Sequence, residues 1–332
     1  MTNINPFAKL RVMVVGLGSV GIRHFNNLRK LGCGKVGVFR ALNRPLPDSV
    51  DLKNMPIHED FTEALSNGYD AVIICNPTSL HIDVAIAAAE AGCHLYIEKP
   101  VSNTLDKTDE LYKTIQKNNL KVMVGYQFRF HPNLNKIKDW LDQKEIGRII
   151  SVHVDTGEYL PGWHPWEDYR NSYAARNALG GGVILTTIHE IDYLYWLFGP
   201  LYPLGAIGGV SGYLELDVED FMSAFLVAKD NIPVFLHIDY LQRPPCRKMK
   251  IIGNCGFIEW DYYSGKAYLS VDGELRETSE LKSGWNRNDL FMSIMHDFLG
   301  SICNRYMPSV SLKDGIETLK IALNIKSRLD LL

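Results

Sequence analysis

The feature that most constrains the fold is the glycine pattern G-L-G-S-V-G at residues 16–21. It follows an apolar run, residues 11–15, that predicts a strand, and it opens a helical pattern over residues 19–31. In this context the glycines permit a tight turn, a close approach of the backbone to a pyrophosphate, and close packing of the helix on the strand. Free N–H groups at the start of the helix would bind the phosphates. We predict a dinucleotide site here rather than a turn that is merely rich in glycine, involving Gly16, Gly18, Ser19, Val20 and Gly21.

The first part of the chain alternates short apolar runs with helical patterns, which is typical of βαβ units and a parallel sheet. The predicted strands are residues 11–15, 35–39, 70–75, 94–97 and 121–125, and the predicted helices are residues 19–31, 61–67, 79–91 and 105–118. The run A-V-I-I-C at residues 71–75 is apolar at every position, as a parallel strand covered on both faces must be. We predict an α/β Rossmann domain with a doubly wound parallel sheet over residues 1–126.

After this domain the pattern changes to one typical of an α+β domain, predicted over residues 127–311. A helix at 133–142, a strand at 149–155 and a helix at 183–198 precede strands with no helices between them, at 221–228, 234–241, 248–252, 256–260 and 266–271. These strands predict a large, predominantly antiparallel sheet. Helices at 289–303 and 312–331 end the chain, and the C-terminal helix in 312–332 is expected to pack back on the Rossmann domain.

The strand at 221–228, F-M-S-A-F-L-V-A, does not alternate cleanly between apolar and polar residues. A strand that is apolar on both faces needs cover on both. One face can pack on helices of its own domain, and the other either meets a second subunit or is covered by the chain's own loops. The first alternative predicts a homodimer or homotetramer that forms through this sheet.

Composition excludes several classes of protein. The 332 residues are 46% hydrophobic and 22% charged, which suits about two globular domains. The net charge of −3 and the lack of a basic block predict no nucleic-acid partner, and no apolar run approaches the ~18 residues of a membrane span. The six cysteines are scattered without a C-x-x-C pair, so we expect reduced thiols, no metal site and a cytoplasmic protein without a signal peptide.

The residue after the second predicted strand bears on cofactor choice. An NAD enzyme usually carries Asp or Glu there to bind the ribose 2′-hydroxyl, but this chain has Arg40, with Arg44 close by. An arginine cannot accept from that hydroxyl, whereas it can pair with a 2′-phosphate. The cofactor is therefore predicted to be NADP or NAD, with NADP favoured. The alternative is that Arg40 is simply exposed.

Further motifs follow the other predicted strands. They are N-P-T-S-L-H at 76–81, E-K-P at 98–100, Y-Q-F-R-F-H-P at 126–132, G-G-G at 180–182 and H-E-I-D at 189–192. A lysine at the carboxyl end of a parallel strand points into the crevice where such sheets bind ligands, although a lone lysine there is more often solvated. In this order, and over nearly the whole chain, the set resembles the glucose–fructose oxidoreductase / inositol dehydrogenase (Gfo/Idh/MocA) family.

The resemblance implies an NAD(P)-dependent oxidoreductase that acts on CH–OH or C=O groups, with its active site between the two domains. It implies that Lys99 contacts the reacting hydroxyl or carbonyl and that His189 carries the proton, a role for which histidine is well suited. It also implies a cofactor set that adds to the glycine motif residues Arg40, Asn76, Pro77, His81, Glu98, Lys99 and Gln127.

One position departs from the family pattern. Many members carry an Asp three or four residues before the motif histidine, where this chain has Thr186 and Leu185. His189 is then oriented by Thr186, by the substrate, or by a carboxylate from elsewhere such as Glu158 or Asp168. Otherwise Lys99 carries more of the proton transfer. Asp192 shares a helical face with His189 but need not reach it.

An aromatic loop at residues 159–170, Y-L-P-G-W-H-P-W-E-D-Y-R, suits a sugar ring, because its apolar faces can stack while hydroxyls take directional bonds. Filling of the domain core by the two tryptophans is the alternative. The loop resembles relatives from bacterial surface-polysaccharide synthesis, which implies a nucleotide-linked or acidic amino sugar, with Arg170 and Arg176 available to an anion. The predicted substrate residues are Arg129, Trp163, Trp166, Tyr169, Arg170, Thr186 and Asp192. The competing functions are an NAD-dependent glycosidase of the same family and a non-catalytic dinucleotide sensor.

Overall fold

The structure is a computed structural model that describes residues 5–40, Leu52 and residues 55–331. The chain divides into two compact units. The first unit comprises Met1–Gln127 and Arg287–Ile316, and the second comprises Phe128–Asn286 and Glu317–Leu332.

The first unit contains a six-stranded sheet in which every strand pair is parallel, with the order β3-β2-β1-β4-β5-β6. Its strands are β1 (Arg11–Val15), β2 (Lys35–Phe39), β3 (Ile57–His58), β4 (Ala71–Ile74), β5 (His94–Ile97) and β6 (Val122–Val124). Its first helices are α1 (Ser19–Lys30), α2 (Phe61–Ser66), α3 (His81–Glu90) and α4 (Thr108–Asn118). Strand β4 is buried at all four positions, as its apolar sequence predicts. The Rossmann prediction is confirmed.

The second unit is built on a nine-stranded sheet with the order β14-β13-β12-β11-β7-β10-β9-β8-β15. Its strands are β7 (Ile149–Gly157), β8 (Tyr202–Gly209), β9 (Phe221–Ala228), β10 (Ile232–Asp239), β11 (Cys246–Gly253), β12 (Gly256–Asp261), β13 (Lys266–Val271), β14 (Glu274–Glu280) and β15 (Leu329–Leu331). The unit also contains helices α5 (Pro132–Asp142), α6 (Val183–Thr186) and α7 (His189–Phe198). Only the pairs β7–β10 and β8–β15 are parallel among these strands, so the predominantly antiparallel prediction is confirmed.

The predicted extents of two helices were wrong. The helix expected at 183–198 is divided into α6 and α7, because Thr187 leaves helical geometry, with φ −98° and ψ 31°. Its hydroxyl also donates to the carbonyl of Val183. The helix expected at 312–331 ends at Ser327, and residues 329–331 instead pair in parallel with β8.

Three strands of the second unit escaped prediction for identifiable reasons. Strand β14, E-L-R-E-T-S-E, is exposed at nearly every position and so lacks an apolar face. Strand β8 contains Pro203 and three glycines, which are poor strand formers. The C-terminal strand β15 is only three residues long.

The segment 287–316 lies in the first unit, whereas residues up to 311 were expected in the second. The reason is the packing of helix α8 (Asn288–Asn304) on α1. The Asn27 and Asn288 side-chain amides exchange two hydrogen bonds of 3.1 and 2.9 Å, and the Arg23 guanidinium lies 4.8 Å from the centre of the Phe291 ring. Helix α9 (Leu312–Ser327) begins in the first unit and continues in the second.

The nine-stranded sheet has one covered face and one open face. On β9, Met222, Ala224 and Leu226 are buried, while Ser223 and Phe225 face outward. Phe225 is 38% exposed and its stacked neighbour Phe235 is 45% exposed, with their ring centres 5.1 Å apart. The chain's own loops, as far as they are described, therefore do not cover this face, and it forms a groove of about 960 Å³.

Two further findings concern the whole described chain. Within residues 5–40 and 55–331, no helix combines the length and the apolar character needed to cross a bilayer. The same residues contain no cluster of His, Cys, Asp and Glu side chains arranged to hold a metal ion.

Candidate functional sites

The glycine motif forms a backbone cradle at the carboxyl end of β1. Gly16 adopts φ +87° and lies against the backbone of Asn76, so that a Cβ there would stand 2.9 Å from the Asn76 nitrogen. A Cβ on Gly21 would lie 1.9 Å from the carbonyl oxygen of Gly16. A Cβ on Gly18 would meet nothing within 4 Å. The first and third glycines are thus required by packing, and the second leaves open space.

Helix α1 begins beside that space without a cap. Its N-cap is Gly18, no side chain bonds its first N–H groups, and its first turn contains no acidic residue. Uncapped N–H groups and the positive end of the helix dipole form a site for phosphate. Ser19 and Val20, two of the residues predicted to bind the pyrophosphate, are the first residues of α1.

His81 joins the loops that follow β4 and β5. Its side chain is buried, with Nδ1 2.8 Å from the Pro100 carbonyl oxygen and Nε2 2.8 Å from the Asn76 carbonyl oxygen. Burial lowers the pKa of His81. The residue therefore fixes the backbone of the two loops that carry Asn76, Pro77 and Lys99, a positioning role that motif matching alone did not specify.

The other predicted cofactor residues lie along the same edge of the sheet. Arg40 follows β2, is half-buried, and donates its backbone N–H to the His58 carbonyl over 3.1 Å. Gln127 is buried just after β6, and the Glu98 carboxylate is buried against His24, with 2.7 Å between Glu98 Oε1 and His24 Nε2. Arg44 lies outside the described residues. His24 was missed by the sequence analysis, which treated α1 only as a phosphate-binding helix.

In the second unit, His189 is the first residue of α7 and is buried. Its ring packs on Phe128, with 5.1 Å between the ring centres. The carboxylates considered as its partners each meet an arginine. Asp192 pairs with Arg129, Glu158 lies 3.5 Å from Arg247, and Asp168 pairs with Arg170.

The pair of Arg129 and Asp192 joins two residues that were each predicted to contact substrate. Arg129 donates from Nε to Oδ2 over 3.0 Å and from Nη2 to Oδ1 over 2.7 Å. The side chains are only 7% and 1% exposed. This bidentate geometry satisfies both groups within the protein, so the structure places these two residues in a buried ion pair that connects the segment before α5 to α7.

A second buried cluster, missed by the sequence analysis, surrounds Arg247 on β11. Its Nε donates to Glu190 Oε1 over 2.8 Å, and its guanidinium lies 4.7 Å from the centre of the Phe128 ring. Glu158 is also held by the Tyr263 hydroxyl at 3.0 Å. Burial raises the pKa of Glu190, while the charge of Arg247 opposes that shift. A signal was available, because Arg247, Met249 and Ile251 alternate along β11 on its buried face.

The aromatic loop lies mostly at the surface of the second unit. Trp166 is 75% exposed, so core filling is wrong for this residue, while Trp163 is half-buried with its ring 5.5 Å from that of Tyr240. Tyr169 donates its hydroxyl to the Leu214 carbonyl, and Arg170 pairs with Asp168 and Glu215 at 2.9 Å each. Thr186 is buried at the end of α6.

Comparison with protein families agrees with both units. Residues 10–126 match the model described as "Oxidoreductase family, NAD-binding Rossmann fold", and residues 134–259 match the GFO/IDH/MocA C-terminal domain. The chain belongs to the Gfo/Idh/MocA family of oxidoreductases.

Individual relatives match this chain with low sequence identity or over only part of their length. The scyllo-inositol 2-dehydrogenase (NAD(+)) of Bacillus subtilis is 30% identical over 223 residues, covering 65% of this chain and 60% of that protein. Matched stretches span 53, 40 and 35% of the lengths of three other curated relatives. Two solved structures share the fold over 96% of this chain. Levoglucosan dehydrogenase in complex with NADH and levoglucosan has a TM-score of 0.85, 19% identity and 97% of its own chain covered. The WlbA dehydrogenase from Bordetella pertussis, in complex with NADH and UDP-GlcNAcA, has a TM-score of 0.82, 18% identity and 95% covered.

Proposed function

We propose that the protein is an NAD(P)-dependent oxidoreductase that interconverts a CH–OH group and a C=O group on a sugar or sugar derivative. The observation that carries this proposal is the glycine cradle at the uncapped start of α1, in a chain of an oxidoreductase family with an NAD-binding Rossmann fold. When bound, the nicotinamide accepts or donates the hydride.

We assign proton handling to Lys99 and His189. Oxidation of an alcohol requires a group that removes the hydroxyl proton as the hydride leaves, and histidine has a pKa suited to that task near neutral pH. The half-buried Lys99 follows β5, where a parallel sheet offers ligands the carboxyl ends of its strands. In this assignment Lys99 binds the oxygen of the reacting carbon and His189 transfers its proton.

For the substrate we propose a nucleotide-linked or acidic amino sugar. Support comes from the exposed ring of Trp166, which can stack on the apolar face of a sugar. WlbA, which shares the fold, is in complex with UDP-GlcNAcA, whereas levoglucosan dehydrogenase is in complex with the small neutral sugar levoglucosan. Both kinds of sugar therefore belong in the experimental screen.

We further propose that the open face of the nine-stranded sheet is covered by a second copy of the chain, giving a homodimer or homotetramer. The face carries exposed apolar side chains on adjacent strands, including Ile207, Phe225 and Phe235. Contiguous exposed apolar surface of this kind is typical of an interface. Light scattering with size-exclusion chromatography measures the assembly, and a monomer at micromolar concentration contradicts it. Location in the cytoplasm stays a prediction.

The function is tested by following NAD(P)H absorbance with free sugars, sugar acids and nucleotide sugars. Lys99→Ala and His189→Ala are expected to retain dinucleotide affinity and to lose most turnover, about 100-fold or more, which is the usual scale of acid–base catalysis. Lys113→Ala, on the exposed surface of α4, is the matched control and retains wild-type turnover.

Other outcomes identify the competing functions. Wild-type rates in both variants contradict the assignment of the site. Release of a sugar without net change in NAD(P)H identifies a glycosidase. Dinucleotide binding without any turnover identifies a sensor.

A further inference from the structure

A buried carboxylate lies directly behind Lys99 in the first unit. Glu98 directly follows strand β5 and is 7% exposed. Its Oε1 lies 2.7 Å from His24 Nε2, and its Oε2 accepts the backbone N–H of Lys99 over 3.2 Å. Gly125 makes room for this group, because a Cβ there would stand 3.0 Å from Glu98 Oε2 and 3.1 Å from the Tyr96 hydroxyl. The carboxylate is therefore held by two hydrogen bonds in a space that Gly125 leaves open.

Hydrogen bonding indicates the charge state of the pair. No hydrogen-bond partner for the buried His24 Nδ1 is found in the described chain. An unfilled acceptor there costs less than a buried N–H without an acceptor would, so we assign the proton to Nε2, which donates to Glu98. Burial raises the pKa of Glu98, but the His24 hydrogen bond and the Lys99 charge outweigh it and leave the pKa below its usual value. Glu98 is thus an anion at neutral pH.

Three other titratable groups face this carboxylate, namely Cys75, His81 and Tyr96. Burial raises the pKa of Cys75 and of Tyr96 well above their usual values and lowers that of His81. Cys75 and Tyr96 are thus neutral at pH 7, and His81, whose two ring nitrogens each lie 2.8 Å from a carbonyl oxygen, contributes no negative charge. Among the titratable groups of this cluster, Glu98 therefore supplies the negative charge next to the Lys99 ammonium group.

We propose that Glu98, held in place by His24, is a positioning residue for Lys99 that fixes its backbone and keeps its ammonium group protonated. This inference rests on the proposed function, in which Lys99 binds the oxygen of the reacting carbon. The Lys99 charge lowers the pKa of Glu98, and by the same attraction the Glu98 charge favours the protonated form of Lys99. Lys99 then acts as a hydrogen-bond donor to that oxygen, and the proton removed during oxidation goes to His189.

The experiment measures the proton affinity of Lys99 without turnover. Dinucleotide-free protein is labelled with traces of acetic anhydride from pH 7 to 11, and acetylation of the Lys99 peptide is measured by mass spectrometry against the exposed Lys113. In Glu98→Gln the midpoint for Lys99 is expected to fall by about one unit, so that labelling at pH 8 rises about tenfold. His24→Leu is expected to shift the midpoint the same way but less, because the carboxylate remains.

The controls separate charge from loosening of the structure. A loosened loop raises the plateau of labelling at high pH, whereas loss of the Glu98 charge moves the midpoint. Asn27→Ala, on the same helix as His24 but bonded to Asn288, is expected to leave the midpoint unchanged. If Glu98→Gln fails to fold, as judged by circular dichroism, His24→Leu decides the question.

An unchanged midpoint in the folded variants overturns the inference. Because labelling needs no catalysis, a shifted midpoint in a protein that turns over no substrate contradicts the proposed function without contradicting the role of Glu98 at Lys99.

Discussion

The candidate site of the first unit is made mostly of backbone groups, whereas that of the second unit is made of side chains. In the first unit, the proposed dinucleotide site is mostly backbone, consisting of glycines 16, 18 and 21, the uncapped N–H groups of α1 and two loops joined through His81. In the second unit, the surroundings of His189 are side chains, with the ion pairs of Arg129 and Arg247 packed among aromatic rings. The backbone site depends on open space beside the glycines, and the side-chain site depends on the pairing of each buried charge with an opposite one.

This difference indicates which substitutions would impair the candidate site of each unit. A backbone site tolerates change in many side chains but fails when a Cβ enters the cradle. A site made of buried ion pairs fails when one partner is removed, since the remaining charge is then buried without compensation. The following predictions test the contrast, in decreasing order of expected effect.

The largest loss of dinucleotide affinity is expected from Gly21→Ala in the first unit. The new Cβ would lie 1.9 Å from the Gly16 carbonyl oxygen, and a backbone atom cannot move away cheaply. We expect dinucleotide affinity to fall about 100-fold or more and the free energy of unfolding to fall by about 1–3 kcal/mol. Isothermal titration calorimetry and urea denaturation measure the two quantities.

Gly18→Ala is the matched control, because its Cβ would meet no protein atom within 4 Å. It is expected to retain wild-type stability while losing dinucleotide affinity, since the methyl group occupies the space left for the pyrophosphate. If Gly18→Ala binds dinucleotide like the wild type, the cradle does not hold the pyrophosphate there.

The largest loss of folding stability is expected from Arg247→Ala in the second unit. It leaves Glu190, which is fully buried, without its 2.8 Å partner, so we expect the free energy of unfolding to fall by about 3–5 kcal/mol. Lys248→Ala, at the neighbouring exposed position with a 3.3 Å pair to Asp261, is expected to lose less than about 1 kcal/mol. Similar losses from both variants in urea denaturation would show that burial does not govern these pairs.

The same contrast explains what was predictable from the sequence. In the first unit, strands β1, β2 and β5 begin and end where the apolar runs predict, and the glycine motif lies at the end of β1. Requirements for backbone space appear locally as glycine, so a short window of sequence contains them. The partnership of His24 with Glu98 was not predictable, because it connects residues separated by 74 positions.

In the second unit, His189 lies at the start of α7, but its surroundings depend on pairs that are distant in sequence. Arg129 and Asp192 are 63 residues apart, and Arg247 and Glu190 are 57 apart. The sequence predicted Arg129 and Asp192 as substrate residues without indicating that they pair with each other. Only the tertiary structure shows that each is bound to the other.

Acid should weaken the second unit through His131. Burial and the nearby charge of Arg247 lower the pKa of His131 to about 3. Between pH 6.5, the ordinary value, and pH 3 the unfolded chain binds a proton that the folded chain does not. Stability is therefore expected to fall as pH decreases in this range, by up to about 1.4 kcal/mol per pH unit.

His131→Asn tests this slope. Asparagine can replace His131 Nδ1 as the acceptor at the start of α5, where the Asn133 N–H donates over 3.2 Å. The variant is expected to be less stable at pH 7 but to show a flatter loss of stability between pH 6.5 and 4.5 in urea denaturation. An unaltered slope in His131→Asn would assign the acid sensitivity to other groups.

The smallest effect is expected from Arg40→Ala, which changes a side chain rather than the backbone of the proposed dinucleotide site. Arg40 follows β2, where it can meet a 2′-phosphate but cannot accept from a 2′-hydroxyl. Arg40→Ala is therefore expected to lower NADPH affinity about tenfold, or about 1.4 kcal/mol, and to change NADH affinity little. Arg29→Ala, which removes one positive charge from the exposed end of α1, controls for general electrostatic attraction and should alter neither affinity. Two results would contradict this role of Arg40: equal losses of NADH and NADPH affinity in Arg40→Ala, or a preference of the wild type for NADH. Either result would mean that Arg40 does not select the cofactor and that backbone groups dominate binding in this unit.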